Sequence, residues 1–382
     1  MKPNNKLKPR VGIDARPLSY GMTGNSRYLF EVLKVLSRPD SKFDYYLYSN
    51  KKIHPMFWDA LQTESVTIRI DNKMPGIFWL NVTLPHRVRK DYIDILWGTL
   101  QLLPYRKLKI PSVVNYHDLN FVTVPDTMTK FNYHQHKFLS GRTMANADKI
   151  FCLSQNTYNE IHNYNPSVKE KLKVVYPGVS LPIVEEDDEF EYDNYILTVS
   201  TVEPRKNLST LISAYIEAKE EELNFPYKLL IAGRVGWGEN ELINNLKSGF
   251  YKPHGIVFVE NPNETIISRL YKNCKLFLFP TLHEGFGLPV LEALYNQKVC
   301  IVSDIPVLRE MLDPEVDMFV PPKNVSDWKE AILKVYKENL WERGKAWDTS
   351  LWTWEKTAKE IEDEITFEWK KSVILNALLL NK

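Results

Sequence analysis

The chain has 382 residues, too many for one typical domain and enough for two of roughly 150–200 residues each. Hydrophobic residues make up 44% and the formal net charge is +1, which describes a globular protein and excludes nucleic-acid binding by bulk charge. Cys152, Cys274 and Cys300 lie in or beside apolar runs without Cys-x-x-Cys spacing, which argues against a disulfide framework or a zinc site and for buried thiols in a reducing compartment.

No apolar run approaches the ~20 residues needed to span a bilayer. The basic, polar start lacks the apolar core of a signal peptide. The location expected is cytoplasmic, with peripheral contact at the inner face of the membrane as a further expectation.

A short apolar strand, Arg10 to Asp14, opens the chain. The loop from Arg16 to Ser26 contains Gly21 and Gly24, and a helix follows with Leu29, Val32, Leu33 and Leu36 on one face. This is a βα unit with a glycine loop at its switch, where ligands bind in open α/β sheets. Further strands are read at 44–49, 65–70, 91–97 and 112–116, the last running into His117-Asp118 at its carboxyl end. Residues 127–147 read as a polar helix. His134 and His136 there do not share a face, which argues against a metal pair. A strand at 148–154, a helix at 155–164 and a strand at 171–176 complete the first series. The acidic run from Glu185 to Asp193 reads as a solvated linker between domains.

The second series begins with a strand at 195–200 and the loop Glu203-Pro-Arg205-Lys206-Asn207. A strand at 227–233 ends in the glycine-rich loop 233–238, and a strand at 255–259 and a helix at 264–273 follow. The central element is His283 to Ala293. A buried strand at 275–280 precedes it, and a helix with proline in its first turn follows. Glu284 and Glu292 flank the turn with seven residues between them, the second expected about two helical turns further on. Such a strand–turn–helix aims free N–H groups and a helix N-terminus at a bound anion. An anion in the middle and hydroxyl-bearing groups at both ends describe a nucleoside diphosphate sugar. Arg205 supplies a forked contact for the diphosphate and Lys206 a point charge. The chain has no Asp-x-Asp triplet and no Asp/His cluster at metal-ligand spacing, so no metal is expected. The sheet closes with strands at 299–303 and 318–321 and a helix at 328–336. From Trp352 onward, Trp354, Ala358, Ile361 and Ile365 form one stripe of a long last helix. Crossing back onto the first domain is the simplest way to bury it. Its apolar end, Val373 to Leu380, has contact with a membrane or partner as the alternative.

Several segments in order, GIDAR, TGNSRY, VVNYHDL, ADKIFCLSQNT, VVYPGV, TVEPRKN, HEGFGLPVLEA and WTWEKTA, resemble the retaining glycosyltransferases of sequence family four, which have the GT-B fold. The resemblance implies an α/β protein with two Rossmann-like doubly wound domains facing across a cleft. Residues 1–180 would be the acceptor domain, 181–194 the linker, 195–350 the donor domain and 351–382 the returning helix. It implies that Arg205 and Lys206 bind the donor diphosphate and that Glu284 holds hydroxyls of the transferred sugar. Phe286, Gly287 and Leu288 would supply backbone contacts to sugar and phosphate, and Glu292 would hold the ribose hydroxyls. His117 would reach the sugar from the first domain, and Gly24 would lie near the phosphates. The reaction implied is metal-independent transfer of a hexose, mannose favoured, from a nucleotide sugar such as GDP-mannose to a glycan or lipid-linked acceptor, by front-face substitution with retention. The alternatives are a UDP-hexose or UDP-N-acetylhexosamine donor, or a non-catalytic sugar-nucleotide-binding protein. No separate cofactor and no nucleic acid partner are expected. The chain departs from the family pattern at Ser26 and Ser200, where glycine is usual, at Gln297 and Val299, and at Glu260-Asn261. Acceptor recognition would fall to the loops at 16–27, 71–90 and 118–136, with Arg87, Arg89 and Lys90 as candidates for an anionic lipid.

Overall fold

The computed structural model describes residues 8–182, 191–344 and 348–380, so most of the acidic run expected as a linker lies outside the described residues. Two compact units emerge. One takes the chain up to Leu119, His134–Gly178 and the residues from Leu351 on; the other takes Asn120–Tyr133 and Val179–Ser350. The short return of Asn120–Tyr133 to the second unit is not marked by any change in composition.

In the first unit the strands are β1 (Arg10–Asp14), β2 (Asp44–Ser49), β3 (Val66–Ile70), β4 (Ile95–Gly98), β5 (Ser112–Tyr116), β6 (Lys149–Cys152) and β7 (Leu172–Val174). They form one parallel sheet in the order β3-β2-β1-β4-β5-β6-β7. The order reverses at β1, so the carboxyl edge beside β1 and β4 is the switch point of the sheet. β4 and β5 are buried throughout, as expected of strands covered on both faces. The long helix Trp354–Leu380 lies against the helix Gly24–Leu36 and buries Trp354, Ala358, Ile361 and Ile365. Thr357 Oγ1 donates to Tyr176 O at 2.7 Å, and Gly178 is needed beneath it because a Cβ there would stand 2.3 Å from Trp354 N.

Two stretches of this unit differ from the sequence reading. β4 starts at Ile95 rather than at 91, because Tyr92 takes a left-handed conformation with φ 52° and turns the chain first. Residues 76–90, read as loop, are helical: Gly76–Phe78, a π-type turn at Trp79–Thr83 and Leu84–Lys90. The turn is explained by Pro85, which has no N–H to offer the carbonyl four residues back; Leu84 N donates instead to Trp79 O.

The second unit holds β8 (Tyr195–Val199), β9 (Lys228–Gly233), β10 (Ile256–Glu260), β11 (Phe277–Phe279), β12 (Cys300–Ser303) and β13 (Met318–Val320). They are parallel in the order β10-β9-β8-β11-β12-β13, with the reversal between β8 and β11. The helices Leu208–Glu221 and Val325–Lys337 pack together over this sheet, around Leu211, Tyr215, Leu278, Ile301, Trp328 and Ile332. A helix at Asn240–Ser248, capped by Gly249 at φ 75°, was not read from the sequence.

Candidate active site

The loop after β8 is shaped by three local constraints. Gly233 has φ 152° and passes so close to Ser200 that a Cβ would sit 1.9 Å from its carbonyl oxygen, so no other residue fits. Val202 N donates to Arg234 O at 2.8 Å and Gly236 N to Val202 O at 3.1 Å, which joins the glycine-rich loop to the β8 loop. A short 3-10 turn over Pro204–Lys206 then ends at Asn207, left-handed at φ 53°. Asn207 Nδ2 donates to Pro280 O at 3.0 Å and to Pro322 O at 2.6 Å, tying the loop to the segments that follow β11 and β13.

This frame holds Arg205 and Lys206 against Glu284, which lies 78 positions beyond Lys206. Glu284 Oε1 accepts from Lys206 Nζ, lies 2.8 Å from Arg205 Nη1 and accepts from Thr281 Oγ1 at 2.9 Å. Arg205 also donates through Nη1 to His283 O at 2.8 Å and through Nη2 to Glu203 Oε1 at 2.7 Å. Glu203, Lys206 and Glu284 are all buried. Two cations and two carboxylates therefore balance one another out of water, an arrangement stable only when each charge is paired. Burial acts to raise the Glu284 carboxyl, but Arg205 and Lys206 outweigh it and hold the group down to about 2. For Lys206 burial is the largest influence and the ammonium falls below its ordinary range, Glu284 pulling it up and Arg205 pushing it down.

The turn that follows presents donors. Gly287, at φ 109°, begins the helix Leu288–Tyr295, whose Pro289 occupies the first turn. Gly287 O accepts from Val290 N and Leu291 N, whereas the N–H groups of Gly287 and Leu288 donate to nothing among the described residues. Unsatisfied amides at a helix N-terminus are a ready anion site. Phe286 is buried beneath the turn. Glu292 is buried one turn into this helix, not two turns from Glu284, because the helix begins only at Leu288.

The remaining expected site residues belong to the first unit. His117 follows β5 and is buried; its Nε2–H donates to Thr99 O at 2.8 Å, and Tyr28 meets it edge-on at 5.8 Å between ring centroids. That bond fixes the tautomer and leaves Nδ1 as the acceptor nitrogen. Burial lowers the His117 pKa, so the ring is neutral near pH 7. Thr99 Oγ1 in turn donates to Asp14 O, which links the ends of β1, β4 and β5. Gly24 starts the first helix with open space where a Cβ would project. Ser26 explains one departure from the family pattern: its Oγ accepts from Thr23 N at 2.6 Å while Thr23 Oγ1 accepts from Ser26 N, a reciprocal helix cap.

Thus the structure brings Arg205, Lys206 and Glu284 into contact, sets Phe286, Gly287, Leu288 and Glu292 on the element that follows, and places His117 and Gly24 in the first unit. The sequence reading missed Glu203, Thr281 and Asn207. Glu203 and Asn207 flank the basic pair in sequence, which was the available signal; Thr281 gave none. Among the described residues no group of three or more His, Cys, Asp or Glu stands at metal-holding distance. An open cavity of about 950 Å³ beside Leu282 and Pro321–Ser326 contains none of the expected site residues, so the ionic cluster, and not that hollow, marks the candidate site.

The family model described as Glycosyltransferase Family 4 matches residues 23–181, and that described as Glycosyl transferases group 1 matches residues 183–349. The serotype-specific mannosyltransferase WbdA of Escherichia coli is 30% identical over 213 residues, 52% of this chain and 25% of WbdA, so the chain spans a quarter of that relative's length. The O-antigen chain mannosyltransferase B of Escherichia coli is 26% identical over 268 residues, 66% of this chain and 68% of that protein. Among solved structures, Anabaena Alr3699/HepE in complex with UDP and glucose has a TM-score of 0.67 at 14% identity, covering 94% of this chain and 99% of that one. Sucrose-phosphate synthase from Thermosynechococcus elongatus has a TM-score of 0.66 at 14% identity, covering 95% and 100%. These likenesses and the two parallel sheets give the fold as α/β of the GT-B type. With one model matching each half in order, the chain belongs to the family 4, group 1 glycosyltransferases and is similar to bacterial mannosyltransferases.

Proposed function

We propose that the protein transfers a hexose, mannose favoured, from a nucleotide diphosphate sugar to a glycan or lipid-linked acceptor with retention, in polysaccharide assembly on the cytoplasmic side of a membrane. The observation that carries the reading is the buried pairing of Arg205 and Lys206 with the single oxygen Glu284 Oε1. A donor diphosphate takes the place of that oxygen on the two cations, and the released carboxylate turns to sugar hydroxyls. The N–H groups of Gly287 and Leu288 add donors to the same anion, and Glu292 holds the ribose. Negative charge grows on the leaving diphosphate as the glycosidic bond breaks, and fixed donors in a dry site stabilise it without reorganising. That is the role a metal plays elsewhere, so none is invoked. The leaving phosphate takes the acceptor proton on the face it departs from, and the carboxylates position the donor instead of forming a covalent intermediate. His117, neutral with Nδ1 accepting, is suited to receive a sugar hydroxyl.

Mannose is favoured by the names of the two sequence relatives described above, both mannosyltransferases. The test is turnover of a panel of GDP- and UDP-sugars with oligosaccharide and lipid-linked acceptors, with the anomeric configuration of the product read by NMR. GDP-mannose consumed with retention is expected. Preference for a UDP-hexose or UDP-N-acetylhexosamine moves the assignment to that donor. Binding without turnover of any donor leaves a sugar-nucleotide-binding protein, and inversion refutes front-face substitution.

A further inference from the structure

We propose that one face of the first unit, formed by the helical segment 76–90 and the loop 105–109, docks on an anionic lipid bilayer. Although the whole chain is balanced, with 49 basic and 48 acidic residues, its charge is unevenly distributed. Residues 72–90 contain Lys73, His86, Arg87, Arg89 and Lys90 and no acid. Residues 95–117, between β4 and the end of β5, contain Arg106, Lys107 and Lys109 and again no acid.

The helical segment is two-faced. Trp79, Leu80, Leu84 and Val88 are buried in the unit, while Phe78 and Val82, four residues apart, are 60% and 53% exposed. Met74, a further four residues back, is also exposed. The loop is fastened to the same segment, since Tyr105 N donates to Asn81 Oδ1 at 2.7 Å, and the Tyr105 ring is half-exposed. The cations are not equivalent. Arg87 is held by Asp71, with Nε donating to Oδ2 at 2.7 Å, and is therefore withdrawn from the lipid-contacting set expected from sequence. Lys73, Arg89, Lys90, Arg106 and Lys109 make no ion pair among the described residues.

Large apolar side chains flanked by long cationic ones fit the boundary between acyl chains and acidic headgroups. A second copy of the chain fits less well, because a two-fold contact would bring these like charges together. The inference does not depend on the identity of the sugar donor.

The test is sedimentation of the full chain with sucrose-loaded vesicles of phosphatidylcholine alone and of phosphatidylcholine mixed with phosphatidylglycerol. Binding to the mixed vesicles should be at least about tenfold stronger and should fall in high salt. The double variants Arg89→Glu/Lys90→Glu and Phe78→Ser/Val82→Ser, all at exposed positions, should each lower binding about tenfold with the melting curve unchanged. Lys334→Glu/Lys337→Glu, on the second unit, should bind as the parent does. Equal affinity for the two vesicle types, or parental binding by both face variants, overturns the proposal. So does loss of binding in Leu375→Ser/Leu378→Ser alone, which would assign the contact to the last helix. Conversion of a dimer to a monomer by Phe78→Ser/Val82→Ser in analytical ultracentrifugation would assign the face to self-association and also overturn it.

Discussion

The loops after β1 and after β8 start alike and end differently. Each follows the first strand of its sheet, and each sets an arginine two residues after a buried carboxylate: Arg16 after Asp14, and Arg205 after Glu203. In the first loop the pair is closed. Arg16 Nε donates to Asp14 Oδ1 at 2.9 Å and Nη2 to Oδ2 at 2.6 Å, a bidentate pairing with its neighbour, while Nη1 donates only to Gly76 O at 3.4 Å and the guanidinium lies 5.2 Å from the centre of the Trp79 ring. In the second loop one arm goes to Glu203 and the other reaches Glu284, which Lys206 shares. The difference is one carboxylate, borrowed from a distant turn, whose place an incoming anion can take. A similar local pairing therefore builds structure in one unit and, on the reading proposed above, a donor site in the other.

Removing the closed pair tests the first half of this contrast. Arg16→Ala leaves Asp14 buried and uncompensated, and should cost about 3–5 kcal/mol in urea unfolding. Turnover by the molecules that remain folded should change by less than about tenfold, since the other donor-binding groups are intact. A cost under about 1 kcal/mol, the range of exposed ion pairs, would show that the pair is not the structural member of the comparison.

The open cluster should respond in the opposite sense. Lys206→Ala leaves Arg205 between Glu203 and Glu284, so the cluster keeps part of its balance and the fold should lose less than in Arg16→Ala, whereas transfer should fall about 10²–10³-fold, the effect of losing one fixed donor to developing negative charge. Steady-state kinetics and a thermal melt of the same preparation separate the two effects. Near-parental turnover would remove Lys206 from the machinery.

A smaller effect concerns pH and again separates the units. The Glu284 pKa is depressed, so its contribution to stability is present above the ordinary carboxylate range and is lost only as pH falls through about 2. The His117 pKa is lowered by burial, so the unfolded imidazole binds a proton more readily than the folded one. Its share of stability is complete above about pH 6.5 and declines as pH falls below that value. Between neutral pH and about pH 5, the parent should lose more stability than His117→Gln, while Glu284 contributes no slope in that window. Parallel pH profiles of parent and variant would contradict the buried, neutral ring.

What the sequence disclosed follows physical lines. Short apolar runs bounded by turns revealed the parallel strands, because strands covered on both faces need continuous apolar side chains, as in β5 and β11. The helix at 76–90 was hidden because Gly76 and Pro85 are poor helix formers, yet the π-type turn accommodates Pro85 without ending the helix. Arg205, Lys206 and Glu284 were legible as charged residues in loops that follow strands, and Glu292 as a carboxylate on the helix after the turn. Their mutual pairing was not, since Glu284 lies 78 positions beyond Lys206 and only the order β8-β11 makes them neighbours. Thr281 was invisible because a threonine at a strand end signals nothing until its hydroxyl is seen donating to Glu284.

The smallest effect lies where the two units' helix starts diverge. The helix after the β8 loop begins at a left-handed Asn207 with no side-chain cap, whereas the helix after the β1 loop begins with a reciprocal cap between Thr23 and Ser26. Ser26 Oγ accepts from Thr23 N at 2.6 Å and stands 3.1 Å from Gly21 O, so it closes the glycine loop as well as the helix. Ser26→Gly installs the residue the family pattern carries. It removes the cap hydroxyl from a fully buried position and loosens the first helical turn, which should cost about 1 kcal/mol. Ser26→Thr keeps the hydroxyl and should recover part of that loss. If Ser26→Gly instead leaves stability unchanged in urea unfolding, the cap is dispensable and the glycine loop is held by Thr23 alone. The serine would then be a neutral departure from the family pattern, not a compensated one.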